Sequence, residues 1–204
     1  MTPPPLIDRL VYAQTIASGK KVLDIGGQKM PNCVETSPFA IEYSKIQRAA
    51  SEYRIVDYQD KPEVDYVLDL NKPESINQLH EIIAEFKPDV ILCMEVLEHI
   101  SCHFEVMNAM SDAITKFNSI VFITVPNNEN WIFNALGWNE DHSIAFFKDI
   151  AHRFISRSNL GKHRIEMHAC MQKYLWYWGI VYLLSFGQPL SWGFTIRKSS
   201  TVTE

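Results

Sequence analysis

Apolar positions change period repeatedly along the chain, and each change marks an element. Residues 6–17 carry Leu6, Leu10, Ala13 and Ala17 at helical spacing behind a run of prolines, which predicts an amphipathic helix. Residues 21–25 form a short apolar run halted by Gly26 and Gly27, the pattern of a buried parallel strand that turns towards a ligand. Two further β-rich runs follow at 53–57 and 64–70. Helical spacing returns over 73–86 through Ile76, Leu79, Ile83 and Phe86. Residues 89–94 read as the next strand and 103–117 as a helix. The most strand-like run of all, 119–125, is closed by Pro126, Asn127 and Asn128.

Strands alternating with helices predict a doubly wound α/β fold: a mostly parallel sheet with helices on both faces and ligands held beyond the carboxyl ends of the strands. Past Asn128 the pattern loosens. A Trp- and Asn-rich loop runs to Asp141, then a helix is expected over 146–156, a strand over 164–170 and a last strand over 192–197, which would complete seven strands. The expectation is one domain over 1–198, with its core at about 20–128, a less regular lid or substrate region at 129–190, and a frayed tail at 199–204.

Composition narrows this picture only a little. The 204 residues, 47% hydrophobic and 21% charged, suffice for one full core and not for two. A formal net charge of -5 provides no global basic field, so nucleic acid is disfavoured as a partner. Cys33, Cys93, Cys102 and Cys170 form no CxxC pair, which argues against a zinc knuckle or a disulfide framework and for reduced thiols in a cytoplasmic protein. The proline run and the Asp8-Arg9 pair stand where a signal peptide would need an apolar stretch. The longest apolar stretch, 174–187, falls short of the ~20 residues of a membrane span. Its Trp and Tyr content suits a core-covering helix, a substrate wall or a membrane-surface contact.

Four segments in order carry a family resemblance: Val22-Leu23-Asp24-Ile25-Gly26-Gly27, Asp57, Asp69-Leu70, and Met94-Glu95-Val96-Leu97-Glu98-His99. Together they resemble the class I, seven-stranded, Rossmann-like S-adenosylmethionine methyltransferases over roughly residues 20–128. The resemblance implies an S-adenosylmethionine site. Asp57, ending a strand, would accept from the ribose hydroxyls, and Asp69 from the adenine amino group, with the Leu70 backbone against the ring. Gly26 and Gly27 would let the backbone approach the methionine part, Asp24 would orient its ammonium, and Met94 and Glu95 would line the sulfonium. One departure stands out. Gly26-Gly27 runs into Gln28-Lys29-Met30-Pro31, so the second and third glycines of the family's loop are absent, and Pro31 forbids a helix interior there. The same departure argues against a dinucleotide oxidoreductase, which wants Gly-x-Gly-x-x-Gly.

Methyl transfer from a sulfonium needs alignment and, for a hydroxyl or ammonium acceptor, a base; His99 and His142 are the candidates. A sharper expectation joins Glu95, Glu98, His99 and His142 around a divalent metal, since i, i+3 and i+4 share a face if a helical turn begins at Glu95. Small-RNA 3′-terminal ribose 2′-O-methyltransferases have a similar arrangement. Glu-Val-Leu-Glu-His is also widespread in relatives that need no metal, so the metal is not favoured. The leading expectation is a methyltransferase for a small-molecule or glycan-precursor acceptor, oxygen slightly preferred. The alternatives are a metal-dependent RNA ribose 2′-O-methyltransferase and a non-catalytic nucleoside-binding scaffold of the same fold.

Overall fold

The structure is a computed structural model, and it describes residues 4–27, 38–130, 144–171 and 188–200. The expected lid around Trp138, Asp141 and His142, the apolar stretch 174–187 and the loop at Gln28 to Pro31 lie largely or wholly outside these residues, as do the last four of the tail.

Eight strands form one sheet among the described residues: β1 (Leu6–Asp8), β2 (Lys21–Ile25), β3 (Glu52–Asp57), β4 (Tyr66–Val67), β5 (Val90–Met94), β6 (Ile120–Pro126), β7 (Arg164–Met171) and β8 (Ser191–Arg197). Their spatial order is β1-β7-β8-β6-β5-β2-β3-β4. All neighbours pair in parallel except β8, which runs antiparallel to both β6 and β7. Seven strands therefore end on one edge of the sheet. Helices α1 (Arg9–Ala17) and α2 (Pro38–Ala49) pack on one face. On the other lie α3 (Pro73–Phe86), α4 (His103–Phe117), α5 (Lys148–Arg157) and a 3-10 turn at Asn159–Lys162.

The two faces have separate cores because alternate strand residues point to opposite sides. Leu23, Ile25, Ile91, Val121 and Ile123 join the core under α3, α4 and α5, whereas Val22, Val90, Leu92 and Phe122 join Leu10, Ala13 and Ile46 beneath α1 and α2. The fold is the doubly wound, mostly parallel α/β architecture that the alternating pattern predicts.

Three local expectations are corrected. The sheet has eight strands, not seven. The extra one is β1, cut from the front of the expected helix 6–17: Asp8 Oδ1 accepts from the N–H groups of Leu10 and Val11, so it caps α1 and holds residues 6–8 outside it, where they pair with β7. The run 64–70 yields only the two-residue edge strand β4: at Asp65 the carboxylate, in place of a backbone carbonyl, takes the Ile55 N–H and also pairs with Arg54. The structure adds helix α2 to the expected elements. It begins at Pro38, which supplies a helical φ and needs no N–H partner at a first turn.

Candidate functional site

A cleft of about 680 Å³ opens beyond the ends of β2, β3 and β5, lined by Gly26, Val56, Asp57, Tyr58, Gln59, Asp69, Leu70, Asn71, Glu95, Val96, His99 and Ile100. Of the expected cofactor residues it brings together Gly26, Asp57, Asp69, Leu70 and Glu95, and it adds His99 from the expected catalytic pair. Asp24, Gly27 and Met94 do not line it. Met94 packs instead towards the core under α1 and α2. His142 lies outside the described residues.

Gly26 sits at φ 75, and a Cβ there would lie 2.3 Å from Val96 Cγ2, so only glycine lets the chain turn off β2 beneath this wall. Gly27 meets a different constraint: a Cβ would lie 2.1 Å from Asp24 Oδ2. Asp24 is 1% exposed, and the same Oδ2 accepts from the Tyr43 hydroxyl and, at 2.5 Å, from the Tyr53 hydroxyl. Burial pushes its carboxyl up from 3.8 to about 6, although both tyrosine hydrogen bonds pull it down. In this geometry Asp24 braces the glycine turn against α2 and β3 and does not face the cleft.

Asp57 ends β3 with Oδ1 accepting from the Gln59 N–H at 2.8 Å, which fixes the bend that carries the largely exposed Tyr58. Asp69 accepts from the Asn71 N–H, and this bond, aided by Lys72, holds its carboxyl below the usual range. Asn71 Oδ1 in turn accepts from Ser101 N–H at 2.8 Å and Ser101 Oγ at 3.0 Å, tying the two loops of the cleft together.

Glu95 leaves β5 in the left-handed region, at φ 56, with its N–H donating to Thr124 O. Its Oε1 accepts from Thr124 Oγ1 at 2.7 Å and from Arg9 Nη1 at 2.8 Å. Residues 97–99 form a turn closed by His99 N–H to Val96 O, with no helical turn. Glu95 and His99 both line the cleft, whereas Glu98 does not. Glu98 is buried while His99 is half exposed, its Nε2 4.0 Å from Glu98 Oε1. Burial, then the charge of Glu95, pushes the Glu98 carboxyl well above the carboxylate range, and Arg9 acts in the opposite sense. The described members of the expected donor set are not arranged around a common ion: one oxygen of Glu95 already serves a guanidinium and a hydroxyl. Among the described residues no group of three or more His, Cys, Asp or Glu is arranged to hold a metal.

The sequence reading missed Arg9, Asn71 and Tyr58. Tyr58 directly follows an acid at a strand end and could have been noted on that ground. Arg9 is separated from Glu95 by 86 positions and carries no local signal.

A doubly wound sheet whose carboxyl edge presents separate acids to one cleft has the layout of the Rossmann-like class, in which ligands bind at that edge. The methyltransferase domain family matches residues 3–163, and the chain belongs to that family. No curated protein sequence matches it. Among solved structures it is similar to a SAM-dependent methyltransferase from Archaeoglobus fulgidus, with 15% identity over 93% of this chain and 91% of that one and a TM-score of 0.61. An S-adenosylmethionine-dependent methyltransferase from Mesorhizobium loti is 9% identical over 93% of this chain and 96% of that one, with a TM-score of 0.53. The small RNA methyltransferase HEN1 is 14% identical over 96% of this chain, with a TM-score of 0.52, and the chain spans 25% of that protein. At such identities the likeness is one of fold. Among the described residues no helix is long and apolar enough to cross a membrane.

Proposed function

We propose that the protein is an S-adenosylmethionine-dependent methyltransferase acting on a small-molecule or glycan-precursor acceptor, with oxygen as the preferred acceptor atom. The observation that carries this reading is the gathering of Gly26, Asp57, Asp69-Leu70 and the Glu95–His99 turn around one cleft, in a chain of the methyltransferase domain family. Its volume is in the range of about 300–1,000 Å³ common for ligand pockets. The residues fit a nucleoside. Asp57 keeps acceptor capacity for ribose hydroxyls beyond its bond to Gln59, and Asp69, held ionised by Asn71, suits an exocyclic amine. Tyr58 offers a flat, exposed ring on the same wall.

When bound, S-adenosylmethionine supplies a methyl group on a sulfonium, which already has a good leaving group. The chain's own task is then alignment, exclusion of water and handling of one proton. Val56, Val96 and Ile100 give the cleft apolar walls. His99 lines it with its imidazole half exposed, and a neutral imidazole there can take the proton an acceptor hydroxyl must lose. That supports the preference for oxygen. His142 remains a second candidate for the same role.

Isothermal titration with S-adenosylmethionine and S-adenosylhomocysteine tests the reading, and saturable one-site binding is expected. No binding of either would remove it. Binding without turnover on any acceptor would support the scaffold alternative, and salt-sensitive, metal-dependent turnover on RNA ends would support ribose methylation instead. His99→Ala should slow turnover about tenfold or more and leave S-adenosylhomocysteine affinity within a few-fold, as expected when a base is lost.

A further inference from the structure

Glu95 occupies an awkward place. A non-glycine residue in the left-handed region is strained, and such conformations persist only where the surroundings over-determine them. Here the backbone N–H is fixed by Thr124 O, and the side chain by Thr124 Oγ1 and Arg9 Nη1. Of the three, only Arg9 comes from outside the β5–β6 pair. It is the first residue of α1, on the opposite face of the sheet from α3 and α4, and its side chain is only 12% exposed. Glu95 meanwhile lines the cleft, and the buried Glu98 lies close enough to feel its charge. A carboxylate at this partly buried edge, beside a second acid, needs a cation, and Arg9 puts one there by hydrogen bond.

We propose that Arg9 is a positioning residue of the cleft: its guanidinium is the fixed counter-cation of Glu95, filling with a side chain from α1 the role that a divalent ion would have for that carboxylate. The inference rests on the reading of the cleft as an S-adenosylmethionine site. It makes two demands. Arg9 acts on cofactor binding through Glu95 and not by touching the cofactor, and the wild-type pair does not recruit a divalent ion.

A double-mutant cycle reads the first demand. S-adenosylhomocysteine affinity is measured by calorimetry for the wild type, Arg9→Ala, Glu95→Gln and the double variant, with thermal melts to verify folding. Arg9→Ala is expected to raise Kd about tenfold, Arg9→Lys to recover part of the loss, and Arg9→Ala to have less than a twofold effect once Glu95 is Gln. An equal loss in both backgrounds would overturn the proposal, as would unchanged affinity in Arg9→Ala. If Arg9→Ala does not fold, Arg9→Gln and Arg9→Lys carry the same comparison. Titration of the wild type with Mn²⁺ alone reads the second demand: no saturable uptake is expected, and stoichiometric binding abolished by Glu95→Gln would overturn it. Absence of S-adenosylhomocysteine binding in the wild type itself would defeat the cofactor reading, and this inference with it. Normal wild-type binding with indifferent Arg9 variants defeats the inference alone.

Discussion

The two halves of the sheet end on the same edge and treat that edge in opposite ways. On the β2, β3 and β5 side, the strand ends release into turns that present ionisable groups to a cleft: Asp57, Glu95 and, after β4, Asp69. On the β6 and β8 side, neutral amides close the edge against itself. Asn127 donates from Nδ2 to Pro189 O and accepts at Oδ1 from Trp192 Nε1, while Asn128 exchanges two hydrogen bonds with Phe146. The chemistry of the two sets decides which side chains at a carboxyl edge can meet a ligand. An amide has a donor and an acceptor to satisfy both kinds of orphaned backbone group, whereas a carboxylate leaves acceptor capacity unused.

Three experiments press on this contrast. Asn127→Ala should have the largest effect, on stability: it orphans the Pro189 carbonyl and the Trp192 N–H in a buried setting, a loss of about 3–5 kcal/mol in chemical denaturation. S-adenosylhomocysteine affinity of the folded fraction should stay within twofold; a large change would erase the division between the halves. Asp24→Asn should come next. The folded pKa of Asp24, about 6, lies above its ordinary 3.8, so its contribution to stability is fully present below pH 3.8 and is lost as pH rises through about 6. That difference corresponds to about 3 kcal/mol, and the Asn variant should lack this part of the slope when unfolding free energy is followed from pH 4 to 7. An unchanged slope would mean Asp24 is not the buried brace described. Asp57→Ala should have the smallest effect, weakening S-adenosylhomocysteine binding by about 1–3 kcal/mol with little change in melting temperature. A loss of stability without a loss of affinity would move Asp57 to the structural half of the comparison.

Much of the fold could be read in the sequence wherever a periodic run met a sharp terminator. The helices at Pro73–Phe86 and His103–Phe117 and the strand at Lys21–Ile25 have the boundaries that pattern and punctuation predict. The failures lie where a side chain overrode the pattern, as Asp8 and Asp65 did by capturing backbone N–H groups. The cleft was legible in the residues that sit at strand ends, because strand ends in a parallel sheet are already at the binding edge. It was not legible in Asp24, whose partners Tyr43 and Tyr53 come from α2 and β3, nor in Arg9, whose partner is on another element of the opposite half of the motif. Such pairings exist only once the layers are stacked.

The place of β8 has a consequence for how the chain is made. Among the described residues β1 joins the sheet only through β7, and β7 only through β8, the last of the described strands in the sequence. Of the described strands, the earliest in the sequence is therefore among the last to be seated. At synthesis rates of about 5–20 residues per second, β1 and the start of α1 wait on the order of ten seconds or more for their partners. During that interval Arg9 is tethered beside a half-built sheet, and the nascent chain must keep Leu6 and Ile7 from pairing elsewhere. The three prolines before β1 have no N–H to offer a foreign strand, which makes the waiting segment a poor template for aggregation.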